Sequence, residues 1–122
     1  MQRGDALQRV CIYLNERDQH DNRALYIAVL EHLQREGATG ATALRGMGGF
    51  GPGQRMRATR TLSVTETHTV VIEWIDRIER ISRVLPTLDA LTRDALITIE
   101  EIYAYRARLP VSSQFGSQTA GE

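Results

Sequence analysis

Three glycines near the middle of the chain have the spacing of a phosphate-binding loop. Gly46, Gly48 and Gly51 form the pattern G-x-G-x-x-G within the stretch LRGMGGFGPGQRMR. Glycine lets the backbone approach an anion closely, and successive N–H groups can form a concave nest for a phosphate or a carboxylate. Because the pattern also occurs in unrelated loops, the surrounding residues are needed to tell whether it forms a phosphate site.

Two familiar phosphate sites are excluded by the residues that follow. A dinucleotide-binding fold needs a helix that begins at the third glycine, whereas this chain continues with Pro52 and Gly53. A P-loop needs a lysine after its last glycine, and the chain contains no lysine. Two interpretations stay open. The segment is either an anion-binding hairpin loop, with Arg45, Arg55 and Arg57 as counter-charges, or a surface loop without a ligand.

Other reactive side chains show no catalytic or metal-binding pattern. Cys11 lies in the apolar run VCIYL, which is typical of a buried thiol. With one cysteine and no His-x-x-His pair, the sequence offers no metal site. Glu73 and Asp76 flank the end of a predicted strand, where an ion pair with Arg77 or Arg80 is the simplest interpretation. We therefore expect neither an enzyme nor a metal protein.

Composition and charge indicate one small globular domain. The chain has 122 residues, of which 42% are hydrophobic and 25% are charged. Its net charge of zero argues against a nucleic-acid binder, whose affinity would depend on phosphate neutralisation. The chain has no apolar run long enough to span a membrane and no signal-peptide pattern. We expect a cytoplasmic protein that does not insert into membranes.

Hydrophobic periodicity predicts four strands and two helices. Alternating apolar residues indicate strands, and spacings of three and four indicate helices. Pro86 is expected to kink or split the second helix. Asp21 or Asn22 is expected to cap the first helix at the end of a polar loop. The predicted elements are strands over 7–14, 38–46, 69–76 and 95–106, helices over 23–36 and 77–93, and a long connection over about 47–67 in which 59–64 extends a hairpin arm.

This order, β-α-β-β-α-β, is the ferredoxin-like arrangement of the α+β class, with an antiparallel sheet and both helices on one face. Both sides of the predicted strands are apolar: Ile72 and Trp74 alternate with Val71 and Ile75. A sheet with helices on only one side must bury its second apolar face against another surface. Self-association is the simplest way to do so.

The stretch GATALRGMGGFG, from Gly40 to Gly51, closely resembles the signature of a family known as domain of unknown function 190, the PII-like signalling proteins. That signature typically reads G-A-T-V-L-R-G-x-x-G-F-G. The resemblance extends over roughly residues 9–106. Further matching positions are Ala24 to Tyr26, Arg55 and Met56, Val70 to Glu73, Asp76, Leu85 to Asp89, and Leu96 to Thr98.

The resemblance implies a homotrimer of ferredoxin-like subunits, with the sheets forming the inner wall. It also implies that the long loop contacts a partner protein, such as a membrane transporter, a channel or an enzyme. The base of this loop and the neighbouring subunit would form a cleft for a small anionic metabolite, with an adenine nucleotide as the candidate. By position, the ligand-binding residues would be Arg45, Gly46, Gly49, Phe50, Gly51, Arg55 and Arg57.

The sequence therefore predicts a PII-like regulatory domain over 1–108 and a flexible C-terminal tail over 109–122. Its function would be that of a non-enzymatic sensor, in which ligand binding changes how the loop meets a partner. Two alternatives stay open. One is a trimeric scaffold that binds no ligand, and the other is a small ferredoxin-like hydrolase.

Overall fold

A computed structural model describes residues 5–50, 57–58 and 68–107 of the chain. The predicted tail over 109–122 and the predicted arm over 59–64 lie outside these residues. Within them the main strands and helices follow the predicted order. The elements are β1 (Asp5–Asn15), β2 (Gln19–His20), β3 (Arg23–Ala24), α1 (Leu25–Arg35), β4 (Ala41–Arg45), β5 (Gly48–Gly49), β6 (Arg57–Ala58), β7 (Thr69–Asp76), α2 (Ile78–Val84), a 3₁₀ turn (Leu85–Leu88), α3 (Asp89–Thr92) and β8 (Leu96–Ala104).

Four strands form one antiparallel sheet in the order β4-β7-β1-β8. Asn15 at the end of β1 pairs with Thr69 at the start of β7. Arg45 at the end of β4 pairs with Val70, the next residue of β7. The ends of β1 and β4 and the start of β7 therefore meet at one end of the sheet.

The core lies between the sheet and the helices. Val10 and Ile12 of β1 and Ile72 and Trp74 of β7 are fully buried on the side that faces the helices. The spacing of Leu25, Val29 and Leu33 places them on one face of α1, as the sequence predicts, and α2 adds two more residues to the same cluster. The helical residues of the core are Leu25, Val29, Leu33, Ile81, Val84 and Leu88.

The second face of the sheet is less apolar than predicted. Val71 and Ile75 do lie opposite Ile72 and Trp74, as the alternation requires. The middle of this face, however, carries charges. Arg9 lies 2.8 Å from a carboxylate oxygen of Glu100 and 3.7 Å from one of Glu73. The apolar residues of this face thus surround an ion-pair cluster contributed by three adjacent strands.

The segment before the first helix is a hairpin, and the prediction that Asp21 or Asn22 caps that helix is wrong. Strands β2 and β3 pair through a two-residue turn in which Asp21 and Asn22 have φ of 51° and 65°. Asp and Asn adopt such left-handed conformations more readily than most residues, and a type I′ turn requires two of them. Helix α1 begins only at Leu25, and Ala24 at its N-cap provides no side-chain cap.

The second helical region is interrupted at Pro86, as expected. Helix α2 ends at Val84, a 3₁₀ turn contains the proline, and α3 continues from Asp89. Proline lacks the N–H that a continuous α-helix needs at this position. His32 of α1 and Thr87 of the turn are joined by a side-chain hydrogen bond of 2.8 Å, which ties the turn to the first helix.

Asp76 organises the sheet end opposite to the one where β1 and β4 end. Asp76 as a residue is 2% exposed, and its carboxylate accepts hydrogen bonds from Trp74 Nε1 at 3.0 Å and Arg77 N at 2.9 Å. Thr39 donates twice, from its backbone N–H at 3.0 Å and its hydroxyl at 2.8 Å. Arg80 Nη1 adds the predicted ion pair at 3.2 Å. These contacts fasten β7 to the start of α2 and to the segment that leads into β4.

The pKa of Asp76 reflects two opposing effects. Burial, the largest single effect, raises the pKa, but the hydrogen bonds from Thr39, Trp74 and Arg77 together outweigh it and lower the pKa below its ordinary value. The stabilisation by this carboxylate is therefore complete above the unfolded-state pKa of about 4. It is lost as the pH falls through the lower folded-state pKa.

Asp76→Asn should destabilise the protein by about 2–4 kcal/mol, because it replaces a carboxylate oxygen with an NH₂ group that faces existing donors. Urea unfolding at neutral pH measures the difference. Glu79→Gln, on the exposed first turn of α2, is the matched control and should change the unfolding free energy by less than about 0.5 kcal/mol. Below pH 4 the gap between wild type and Asp76→Asn should shrink. A gap of zero at neutral pH would contradict this role for Asp76.

Candidate functional site at the loop end of the sheet

Two backbone hydrogen bonds close the sheet end where β1 and β4 finish. Glu16 N–H donates to the carbonyl of His68 at 2.8 Å, and Gly46 N–H donates to the carbonyl of Thr69 at 2.7 Å. A Cβ added to Gly46 would lie 3.4 Å from that carbonyl, which is an ordinary van der Waals distance, so the pairing does not itself require glycine. The chain therefore leaves the sheet at Gly46 and returns to it at His68, at adjacent points. We call this end, formed by Glu16, Gly46 and Thr69, the loop end of the sheet.

Arg45 forms a two-point ion pair at this sheet end. Its Nε lies 2.9 Å from Glu16 Oε2, and its Nη2 lies 3.3 Å from Oε1. The Arg45 side chain is 55% exposed and that of Glu16 is 33% exposed. The hydrogen bond from Arg45 lowers the pKa of Glu16, and the nearby His68 acts in the same direction. Glu16 is thus a carboxylate at neutral pH, and it is the functional candidate that sequence reasoning missed.

The glycine-rich segment, which starts at Gly46 and contains Gly48, Gly49 and Gly51, begins as a short hairpin. Gly48 pairs with Ala58 and Gly49 pairs with Arg57, which brings the two arms together just beyond the sheet. Gly49 has a φ of 149°, a conformation that L side chains rarely adopt. Phe50 follows with 72% of its surface exposed. The paired residues 57–58 directly precede the predicted arm over 59–64, which lies outside the described residues.

The predicted site residues fall into three groups. Arg45 and Gly46 lie together where the segment leaves the sheet. Gly49 and Phe50 lie farther out, with the Arg57 backbone paired to Gly49. Gly51 and Arg55 lie outside the described residues, as does the side chain of Arg57.

His68 is buried directly beside this ion pair. The residue is 3% exposed, and within the described residues its Nδ1 has no hydrogen-bond partner. An unpaired buried nitrogen is costly, so such groups are uncommon in folded proteins. The sequence showed His68 only as one of three scattered histidines, because nothing in its spacing reveals that β7 begins against Glu16.

A groove of about 940 Å³ opens at the same end of the sheet, within the usual volume range of small-molecule sites. Tyr13 and Asn15 of β1 and Thr69 of β7 form its floor, and the β2–β3 hairpin and the turn between α3 and β8 form its walls. Thr69 also accepts the hydrogen bond from Gly46 and so borders both the groove and the glycine-rich segment.

Arg93 lies on this groove in a strained conformation. Ala95 N–H donates to the carbonyl of Thr92 at 2.8 Å, closing a four-residue turn with Arg93 in its second position. Arg93 has φ 45° and ψ −110°, values that normally belong to glycine. Such strain costs about 1–3 kcal/mol and is concentrated at functional sites. Arg93 is therefore a lining residue of the groove with an unusual backbone conformation.

Within the described residues no group of three or more His, Cys, Asp or Glu side chains could hold a metal ion. The helices of that part of the chain are also too short or too polar to cross a membrane. Among the described residues, the charged groups at this end of the sheet include Arg45, which is paired with Glu16, and Arg93, which lines the groove.

Comparison with known proteins identifies the family. The family model of DUF190, described as "Uncharacterized ACR", matches residues 7–104. The chain belongs to the DUF190 family. It is 32% identical over 99 residues to a UPF0166 protein of Methanocaldococcus jannaschii, which covers 78% of this chain and 88% of the relative. A UPF0166 protein of Aquifex aeolicus is 29% identical over 91 residues, covering 75% of this chain and 86% of the relative.

Solved structures share the fold of this DUF190 protein. CPII of Thiomonas intermedia K12, a nitrogen regulatory PII-like protein bound to ADP, AMP and bicarbonate, superposes with a TM-score of 0.58. It is 17% identical, and the match covers 85% of this chain and 98% of CPII. A Thermus thermophilus protein described as PII-like and signalling gives a TM-score of 0.59 at 22% identity, covering 81% of this chain and 89% of that protein. The mixed α/β fold with an antiparallel sheet is thus PII-like, and the resemblance read from the sequence is confirmed.

Proposed function

We propose that this DUF190 protein is a non-enzymatic regulatory protein that binds a small anionic metabolite at the loop end of its sheet. The observation that carries the proposal is the position of Arg45, an exposed guanidinium on the last residue of β4, directly before the glycine-rich segment. An anion bound there would contact both the rigid sheet and the start of that segment. Ligand binding would thereby change how the segment meets a partner.

An adenine nucleotide is the candidate ligand. The PII-like protein CPII, whose fold is similar, is bound to ADP, AMP and bicarbonate. In this chain the groove has room for a nucleotide, and Arg93 on its wall offers a second cation for phosphate. The proposed ligand-binding residues are those that the sequence predicts: Arg45, Gly46, Gly49, Phe50, Gly51, Arg55 and Arg57.

The proposed assembly is a homotrimer of ferredoxin-like subunits, with ligand clefts between neighbouring subunits. The face of the sheet without helices supports self-association, because Tyr13 and Leu96 are exposed opposite each other there and Leu44 is exposed on the same face. Three copies around an axis would bury this apolar surface. The charges of Arg9 and its two carboxylate partners would then fix the orientation of the subunits.

We propose further that residues 1–108 form the regulatory domain and that the protein acts in the cytoplasm. The segment over about 47–67 would contact a partner protein such as a transporter, a channel or an enzyme.

One observation favours a second candidate function, a trimeric scaffold without a ligand. Arg45 already has a carboxylate partner in Glu16, so its charge is balanced without any bound anion.

Arg45→Gln should weaken ADP binding about ten- to hundredfold, because charge-assisted hydrogen bonds to a phosphate contribute about 1.5–3 kcal/mol. Isothermal titration calorimetry with ADP measures the affinity. Arg83→Gln, which removes an exposed arginine from α2, is the matched control and should bind like wild type. The absence of ADP binding to wild type at millimolar concentration would favour the scaffold.

Val71→Asp should convert the trimer to monomers, because it places a charge on the apolar part of the face without helices. Sedimentation velocity measures the particle mass, and circular dichroism checks that the variant is folded. Ile78→Asp is the control, since it introduces the same charge on an exposed position of α2 and should leave the trimer intact. A wild-type protein that sediments as a single copy would overturn the proposed assembly.

A further inference from the structure

The ion pair between Glu16 and Arg45 occupies the edge of the guanidinium that a phosphate or carboxylate ligand would use. Arginine binds such groups through two parallel N–H···O bonds, and Glu16 already accepts one from Nε and one from Nη2. A ligand anion approaching this edge would also meet the negative charge of Glu16 itself. The ligand and Glu16 therefore compete for the same donors.

We propose that Glu16 is an internal competitor of the anionic ligand. Its carboxylate binds Arg45 in the ligand-free protein and leaves when a phosphate or carboxylate group takes its place. This inference rests on the proposed function, because it concerns the same ligand at the same arginine.

The surroundings of Glu16 allow its carboxylate to be replaced on Arg45 by a ligand anion. Its backbone is fixed by the hydrogen bond to the His68 carbonyl, so its side chain can rotate away while the end of the sheet stays closed. The pair is partly exposed, and exposed ion pairs contribute little to stability because water screens them. The released carboxylate is therefore readily solvated by water.

Asp76 shows the contrasting case in the same molecule. That carboxylate is buried and accepts hydrogen bonds from four residues on three segments, so releasing it would disrupt the fold. Glu16 instead has Arg45 as its side-chain partner in a setting open to solvent. The two carboxylates differ in their surroundings, and the exposed one can exchange for a ligand.

Competition also sets the selectivity of the site. A singly charged ligand group offers Arg45 little more than Glu16 already provides, whereas a phosphate group carries more charge and more acceptor oxygens. Glu16 would thus raise the concentration at which weak anions occupy Arg45. Anions of higher charge, such as nucleotide phosphates, would still displace Glu16.

The test is calorimetric titration of ADP into wild type, Glu16→Gln, Arg45→Gln and the double variant. Glu16→Gln should bind ADP about two- to fivefold more tightly than wild type, in keeping with the small contribution of an exposed ion pair. In the Arg45→Gln background the same substitution should bring no gain, because the donors for which Glu16 competes are absent.

Glu79→Gln is the matched control, since it removes the same charge at the opposite end of the sheet and should leave ADP affinity unchanged. If Glu16→Gln does not fold by circular dichroism, Glu16→Asp replaces it, because its shorter side chain weakens the two-point contact; a smaller gain in affinity is then expected.

Equal or weaker ADP binding by Glu16→Gln, with wild type binding normally, would overturn the competition and leave the proposed function standing. A gain that persists without Arg45, or that Glu79→Gln reproduces, would also overturn it. ADP binding by none of the proteins would instead remove the proposed function, and the competition with it.

Discussion

The pairing of β7 with both β1 and β4 is the constraint on which the candidate functional site depends. It brings Asn15 opposite Thr69 and Arg45 opposite Val70, so three chain segments reach the same end of the sheet. Two backbone hydrogen bonds then close this end. A shift of β4 by one residue would turn Arg45 to the other face of the sheet, away from Glu16. Ala41 and Ala43 of β4 pack against the core on the helix side and would lose those contacts, which disfavours that shift.

The two ends of β7 place carboxylates in contrasting surroundings. At the far end, Asp76 is buried and fully hydrogen-bonded, and it joins a strand, a helix and a connecting segment. At the loop end, Glu16 is partly exposed and pairs with an exposed arginine. Because Asp76 is buried, breaking its contacts would strongly destabilise the fold. Because the Glu16–Arg45 pair is exposed to water, replacing Glu16 by another anion would change the free energy of folding little. The buried contacts of Asp76 thus stabilise the fold, whereas the exposed ion pair lies where a ligand would bind.

Much of the fold could be predicted from hydrophobic periodicity, because the strands and helices are long and regular. The alternation in β7 and the spacing in α1 identify the core residues correctly, and Pro86 marks the break in the second helical region. The β2–β3 hairpin was missed because its turn relies on left-handed conformations of Asp21 and Asn22. Two adjacent polar residues do not distinguish such a turn from a helix cap.

The candidate site was predicted in part. Arg45 and the glycines stand out by residue type, whereas Glu16 becomes a partner of Arg45 only through the strand register. The strain at Arg93 was equally hidden, since no sequence pattern predicts a positive φ at arginine. The charges of Arg9, Glu73 and Glu100 were visible in the sequence, but only their pairing across three strands shows that they interrupt the apolar face.

Amide shifts in NMR spectra of the labelled protein test most directly whether a ligand binds at the loop end of the sheet. Binding of ADP at this end should give the largest shifts at the amides of Glu16, Gly46 and Thr69. Shifts confined to Thr39 and Arg77 at the Asp76 end, or no shifts at saturating ADP, would contradict it.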